Sequence, residues 1–484
     1  MDIYTLVTIA FLVAFLAIGL YVSRKTHTVE DHFVMSRSAS AFFITGTLIA
    51  TNISSTGFIG FSSTITQLGP TRYTIQYGAT MMMSLFLGLY IGRFLFRMKL
   101  MTISEFFTKR YEGKLVHIGA SVVIFLSMTV YMISVVLTSI MVTHGLFGWS
   151  TKISLIVILT LLTLFTTTGG MRSVVVTDTA MFIVIAASAL IIGPAIIVAL
   201  GGIGSAVNQA AQSIPYIFEL QGNSPKLIGY MSILEMNVLS CMLVGGSPQL
   251  ISRVSIAKSE RELGKAMVYL AVLFPVVIIV LLYPFGFFPL FNSGVEPADA
   301  FVWTCKNLVP PIFGAVAIAG VMAAALSTIS SLHQQAAVAL SSSIMKDIFF
   351  PKMSSSSLLK LNRYCTVLIA LIVYAFVSNP AIKPSMYLDA LLFANAMFAA
   401  WVPAIYLGVT WKRANTKGAV WSIFLSVLVI IAVSVLRNNG KLPIWTPVNV
   451  IGLMVSTTTM IFVSLFTKPN LDNPVYDEIH QKAV

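Results

Sequence analysis

The chain reads as an all-α polytopic membrane protein of thirteen transmembrane helices, ten of them in two five-helix sets of opposite orientation. Three observations predict this. Hydrophobic residues make up 57% of the 484 and charged ones 10%, a balance that a water-soluble fold of this length does not have. Apolar runs of spanning length recur along the whole chain, and no polar stretch exceeds about 30 residues, too few to fold alone. Two of these runs, five spans apart, are interrupted near their middles by small and polar residues.

The runs fall at 3–23, 39–61, 73–98, 116–145, 151–169, 173–200, 227–250, 266–291, 311–347, 363–379, 386–411, 419–436 and 445–467. They are numbered here span 0 to span 12. Span 0 has an acidic rather than a basic flank (Asp2) and lacks a small-x-small cleavage site before Arg24-Lys25. It is read as a retained span with its N-terminus outside. Loops on the side reached after span 0 hold 23 of the 30 Lys and Arg residues, among them Lys25, Arg172, Arg253, Lys258 and Lys482; the opposite side holds seven. This split predicts a plasma (inner) membrane protein with a cytoplasmic C-terminus. It also accounts for the net charge of +13 without a nucleic-acid partner. Cys241, Cys305 and Cys365 share no paired spacing, so neither a disulfide framework nor a metal cluster is signalled.

The expected organisation is one transporter-like unit over 1–484. The extra helix (3–23) precedes a first five-helix set (39–200) and a second (227–411). Two C-terminal helices (419–467) and a cytoplasmic tail (468–484) follow. An odd number of spans in each set forces the sets into opposite orientations.

Span 1 carries the stretch Ala50-Thr51-Asn52-Ile53-Ser54-Ser55-Thr56-Gly57. Hydroxyls and an amide at mid-membrane depth, next to a glycine that eases departure from helical geometry, point to a local unwinding. Freed carbonyls in a membrane are tolerated where they line a cavity or bind something. The competing reading is a polar packing seam between helices. Span 6 repeats the feature with Gly245-Gly246-Ser247-Pro248-Gln249, where proline removes a backbone donor. Matching interruptions in two inverted halves point to a transport site at the midplane.

Three acids fall within spans: Asp178, Glu235 and Asp389. Buried carboxylates face a cavity, a cation or a hydrogen-bonding partner. Asp178, five residues into span 5, is the candidate for function; Glu235 and Asp389 lie nearer span ends and are read as structural. No Lys or Arg is expected deep in any span. In span 8, Ala324, Ser327, Thr328 and Ser331 follow the i, i+3, i+4, i+7 spacing of one helix face, with Ser330 beside them. Their oxygens suit a hard cation such as Na+, which needs several to replace its water shell. No nucleophile elbow, phosphate loop or metal-ligand spacing occurs, so neither an enzyme nor ATP-driven transport is signalled. An ion gradient is the remaining energy source, and neither an organic cofactor nor an obligate protein partner is indicated.

Several motifs, in chain order, resemble the sodium:solute symporter family. They are Thr28-Val29-Glu30-Asp31-His32-Phe33, Ala50-Thr51-Asn52-Ile53-Ser54, Thr102-Ile103-Ser104-Glu105-Phe106-Phe107 with Arg110-Tyr111, and Gly169-Gly170-Met171-Arg172 with Val176-Thr177-Asp178. Pro248 with Arg253 and Lys258-Ser259-Glu260, and Ser327-Thr328 with Ser331 and Asp347, complete the series. The resemblance implies the LeuT-like inverted-repeat fold and sodium-coupled import of a small organic solute by alternating access. It implies a sodium site from the carbonyls of Ala50, Ile53 and Ala324 and the hydroxyls of Ser327 and Thr328. Members with a second sodium site match here at Asp178, Ser327, Ser330 and Ser331. By position, Asn52, Ser54, Thr56, Gln76, Tyr131, Asn237 and Gln249 could meet the solute. Two departures from the family pattern are an extra turn, ~4 residues, between Thr328 and Asp347, and Ala180 or Met181 where many members carry glutamine. The absence of Arg or Lys in span 3 argues against the sialic-acid branch, and the lack of a mid-span Trp in spans 1–8 against sugars. Ser247-Pro248 looks closer to the organic-acid, pantothenate and proline branches. A solute sensor that does not transport, and a sodium channel, are the rival readings.

Overall fold

The computed structural model describes residues 2–24, 28–111, 113–468 and 474–481. Lys25 and Lys482, counted in the charge split, and positions 469–473 and 482–484 of the expected tail lie outside the described residues. In chain order the helices are α1 (Ile3–Ser23), α2 (Val29–Val34), α3 (Ala41–Asn52) and α4 (Thr56–Leu68). Next come α5 (Thr71–Arg97), α6 (Ser104–Arg110), α7 (Lys114–Phe147), α8 (Thr151–Ala199), α9 (Ile203–Ser213), α10 (Lys226–Gly246) and α11 (Pro248–Ser255). The remainder are α12 (Glu260–Leu282), α13 (Ala300–Asn307), α14 (Pro311–Phe349), α15 (Ser355–Val377), α16 (Tyr387–Thr410), α17 (Thr416–Asn438), α18 (Val448–Phe466) and α19 (Pro474–Gln481).

Eleven helical stretches among the described residues are long and apolar enough to cross a membrane, or twelve with the bent pair α3–α4 counted as one span. The expected thirteen are therefore not confirmed. The span not counted is span 4, whose apolar helix is described as Thr151–Leu164 with the residues beyond only partly described; it meets span 5 at Gly170, where the backbone leaves helical geometry and two helices of α8 join. Gly170 adopts φ 56°, ψ −154°, and a Cβ there would lie 2.4 Å from the His32 ring. Only glycine tolerates both conditions, which explains the di-glycine turn. The Thr28–Phe33 motif packs into this kink. Thr28 caps α2 by accepting from the Asp31 amide, and Asp31 pairs with Arg172 at 2.8 Å. His32 Nε2 lies 3.1 Å from Asn362 Oδ1.

α7, α14 and α16 are mostly buried, whereas α1, α17 and α18 turn most of their surface outward. That outer surface is apolar, with Leu6, Val13, Trp421, Leu428 and Met454 exposed, as suits a protein whose solvent is lipid. Without a hydrophobic drive between helices in lipid, close packing must hold them, and small residues permit it. A Cβ on Gly193 of α8 would fall 1.7 Å from the Val280 carbonyl oxygen of α12, and one on Gly320 of α14 would fall 2.1 Å from Ser188 Oγ.

Candidate functional site

The ladder of span 1 runs as far as the bond from the Ile53 N–H to the Ile49 carbonyl, 2.9 Å, and resumes with Phe58 N–H to the Ser54 carbonyl, 3.1 Å. The carbonyls of residues 50–53 fall between. Ile53 leaves helical geometry (φ −89°, ψ 82°), and α4 departs from α3 at 54°. The break thus covers the centre of the Ala50–Gly57 stretch, and the chain beyond it winds as a wider π-type turn over Thr56–Phe61. In span 6 the interruption is one residue, the extended Ser247 (ψ 132°), after which Pro248 opens α11. Tyr406 Oη donates to the Gly245 carbonyl there.

α14 lies against the break. Thr328 Oγ1 is 2.9 Å from the Thr51 carbonyl oxygen and 3.0 Å from that of Ala324. Ala50, Ile53, Ala324, Ser327 and Thr328 are all fully buried, and Ser327 Oγ, which makes no close hydrogen bond, lies near the Asp178 carboxylate. Hydroxyl and carbonyl oxygens therefore converge at the freed end of α3, a donor set that fits a hard monovalent cation. α14 stays α-helical through Val338 and becomes π-helical over Ala339–Phe349. The irregular stretch comes after Ser331, so the i, i+3, i+4, i+7 face is kept.

Asp178 is also fully buried, but its surroundings correct the sequence reading. Arg253, counted above with the inner-loop charges, is not in a loop. It sits on α11 with no exposed side-chain surface, and its Nη2 lies 3.4 Å from Asp178 Oδ2. The same nitrogen donates to Ser331 Oγ at 2.7 Å, and Nε to Thr47 Oγ1 at 3.2 Å. Thr47 in turn donates to Asp178 Oδ2 at 2.5 Å, with Thr51 Oγ1 3.3 Å from the same oxygen. Ser330 Oγ donates to its own helix at the Ser327 carbonyl, 3.0 Å. Arg253 lies near the end of the span Lys226–Ser255 and is nevertheless buried, which the sequence did not signal because its partner is far away in the chain. The segments just before α3 and just after α11 are tied by backbone bonds from Ala39 N–H to the Ile256 carbonyl (3.0 Å) and from Lys258 N–H to the Ala39 carbonyl (2.9 Å).

Of the seven residues suggested to meet a solute, Asn52 and Gln76 line a small cavity of about 30 Å³ beside the break, room for a water molecule or two. Tyr77, Thr80, Ser240, Phe61 and Phe274 share it. Gln76 Oε1 and Tyr77 Oη are buried without a partner. The other five do not line this cavity. Thr56 Oγ1 lies 3.3 Å from Thr138 Oγ1, Asn237 donates to the Ile233 carbonyl, and Tyr131 packs its ring toward Phe398. Ser54 is buried, as is Gln249, whose Oε1 has no partner. Sequence reasoning missed Tyr77, Thr80 and Ser240. Gln76 and Thr80 are one helical turn apart, which is the signal that would have drawn in Thr80. A larger cavity of about 540 Å³ lies among Leu126, Ile133, Phe376 and Phe393; it shares no residue with the break. Glu235 and Asp389 serve structure: Glu235 accepts from the Asn449 amide (2.8 Å) and side chain (2.6 Å) at the start of α18, and Asp389 pairs with Arg437 at 3.2 Å.

The model of the sodium:solute symporter family matches residues 32–426. The osmoregulated proline transporter OpuE of Bacillus subtilis (strain 168) is 24% identical over 95% of this chain and 94% of its own length. The sodium/pantothenate symporter of Haemophilus influenzae is 25% identical over 85% of this chain and 86% of its own. Among solved structures, a Na+-coupled sialic acid symporter described as substrate-bound and outward-open superposes with TM-score 0.82 at 19% identity, covering 97% of this chain and 98% of that one. That likeness establishes the LeuT-like fold. Motif order, paired helix breaks, architecture and family match agree: the chain belongs to the sodium:solute symporter family, and it is a sodium-coupled symporter of a small organic solute rather than an enzyme.

Proposed function

We propose that sodium binds between α3 and α14, held by the carbonyls of Ala50, Ile53 and Ala324 and the hydroxyls of Ser327 and Thr328. The solute then occupies the space opened beside Asn52, Gln76, Tyr77, Thr80 and Ser240. The observation that carries this reading is the meeting of Thr328 Oγ1 with the freed end of α3 at Thr51, 2.9 Å. Sodium bridging the two helices favours the arrangement in which they are in contact, and it therefore favours the solute site built on the same break. No charged residue lines the small cavity, so the solute brings no unbalanced charge into it. A compact zwitterion such as proline suits it first; pantothenate, carried by another relative, is the second candidate, its carboxylate needing the sodium ion as counter-charge. The basic face is read as cytoplasmic and the N-terminus as outside, and an inward sodium gradient drives the cycle as an uptake. Residues 39–200 and 227–411 form the two inverted repeats.

The test is uptake of labelled proline and pantothenate by proteoliposomes holding the full chain, under an inward sodium gradient and under potassium alone. Accumulation that requires sodium is expected; uptake indifferent to sodium overturns the reading. Solute-free steady current in the same vesicles would favour a channel instead.

A further inference from the structure

We infer that Arg72 sets the specificity of the solute site. Its guanidinium takes the carboxylate of the incoming solute, and the Gln76 amide oxygen accepts an N–H or O–H that the solute carries near that carboxylate. The inference deepens the solute site proposed above and rests on it.

Arg72 is a buried cation without an acid. It stands in the first turn of α5 and is 5% exposed. Its Nη2 donates to Ser232 Oγ on α10, and its guanidinium carbon lies 5.7 Å from the centre of the Tyr73 ring. Among the described residues no carboxylate pairs with it. A hydroxyl and a ring face carry no counter-charge, whereas a buried charge ordinarily has an opposite partner. Its place in the helix sharpens the point. Helix N-termini favour anions and disfavour cations, yet α5 follows Pro70 with no side-chain cap and no acid in its first turn. Guanidinium and helix terminus both favour a negative charge, and none of the described carboxylates supplies it.

The neighbours of Arg72 indicate which anion. Arg72, Gln76 and Thr80 follow one another at one-turn intervals along a single face of α5, and Gln76 and Thr80 line the cavity beside the break. On α10, Ser240 lines that same cavity, while Ser232, two turns earlier, lines a roomier one of about 270 Å³. Along both helices, the Arg72–Ser232 bond therefore lies on the roomier side of Gln76 and Ser240. Glu235 also lines the roomier cavity, but its carboxylate is committed to Asn449. Positions four apart on a helix have Cβ atoms ~5–6 Å apart, so the guanidinium and the unpartnered Gln76 Oε1 can close on one small molecule. Donors for a carboxylate beside an acceptor for N–H or O–H fit an amino or hydroxy acid. An amine or a neutral sugar would leave the guanidinium without a counter-charge. Ser232 is the partner the carboxylate displaces, because a carboxylate accepts two guanidinium N–H groups at once and charge-assisted bonds are the stronger ones. Sodium at the break adds positive charge without direction; the planar fork adds orientation.

The test compares an acid with its carboxamide, which keeps the shape and removes the carboxylate charge. Labelled proline and labelled pantothenate are offered to proteoliposomes under an inward sodium gradient, each against rising unlabelled acid or amide. In wild type the acid is expected to compete at concentrations about tenfold or more below the amide. Arg72→Gln should raise KM for the carried acid by about tenfold or more, raise it further than it lowers Vmax, and bring acid and amide close together. Arg72→Lys, which keeps the charge without the fork, should fall between. Ser232→Ala separates recognition from structure. Releasing the guanidinium should preserve the preference for acid, with KM no higher than in wild type, whereas losing a mere clamp between α5 and α10 would impair uptake as Arg72→Gln does. This small substitution remains informative if Arg72→Gln does not fold. A wild type indifferent to acid or amide, a folded Arg72→Gln that keeps the preference, or a Ser232→Ala that loses it overturns the inference. Uptake that prefers the acid but ignores sodium overturns the coupling and leaves Arg72 assigned.

Discussion

Removing the Thr328 hydroxyl tests the sodium site without touching its charges. In Thr328→Ala the oxygen that lies 2.9 Å from the Thr51 carbonyl and 3.0 Å from the Ala324 carbonyl is lost, and no water replaces it readily because the residue is fully buried. An interaction between a buried polar group and a charge contributes ~1.5–3 kcal/mol, so sodium affinity should fall about 10- to 150-fold. The readout is stabilisation of the purified protein by sodium. At a concentration 100 times the wild-type Kd, sodium stabilises by ~2.7 kcal/mol, and a thirtyfold weaker site leaves ~0.9 kcal/mol. The difference between samples with and without sodium cancels whatever the lost hydrogen bond costs the ion-free protein. Thr328→Ser keeps the hydroxyl and should behave nearly as wild type. Ser342→Ala, in the π-helical stretch beyond the site, should leave the sodium effect intact. A Thr328→Ala protein that folds and is stabilised by sodium as strongly as wild type would falsify the assignment of Thr328 as a ligand.

Three further outcomes follow from the packing. Gly193→Ala places a Cβ 1.7 Å from the Val280 carbonyl oxygen and should destabilise by ~1–3 kcal/mol or more, read as a lowered melting temperature; an unshifted one would show that α8 and α12 do not approach so closely. Glu235→Ala strips the acceptor from the Asn449 amide and side chain and should cost ~2–3 kcal/mol, with the sodium half-saturation unmoved. At Asp31, outside the membrane, partial burial raises the carboxyl pKa, but the bonds from Ser36 and Arg172 outweigh it and hold the pKa below its ordinary value. Its contribution is therefore present above the unfolded pKa of about 3.9 and is lost as pH falls through the depressed folded value. Asp31→Asn should lower the melting temperature at pH 7 and lose that deficit in strong acid; an equal deficit at both pH values would assign the effect to packing.

The parts of this protein that could be read in advance are those written in local chemistry. The break at Ile53 was legible because small polar residues and Gly57 interrupt an otherwise apolar run, and Ser247-Pro248 because proline cannot continue the ladder. The face of Ser327, Thr328 and Ser331 followed from helical spacing alone. Arg253 was misread for the opposite reason. Its meaning depends on Asp178, 75 residues earlier, and hydropathy sees only that it stands near a polar loop. Spans 4 and 5 join directly at Gly170, so hydropathy divides them at the point where the backbone turns. Tyr77 and Ser240 were missed because which side of α5 and α10 faces inward is set by how those helices are rotated against their neighbours.

The Asp178–Arg253 pair also has a thermodynamic consequence. Two fixed opposite charges stay with the protein, so only the charge of the carried ion moves through the membrane field. A tenfold sodium gradient supplies ~1.4 kcal/mol, and a 100 mV potential adds ~2.3 kcal/mol for each elementary charge moved. With one sodium and an uncharged or zwitterionic solute the driving force is about 3.7 kcal/mol, enough to hold the solute ~500-fold concentrated inside. A second ion would raise that ceiling to ~10⁵-fold, at twice the sodium expelled by the cell for every molecule gained. How many sodium ions move in each cycle therefore sets how far the solute can be concentrated.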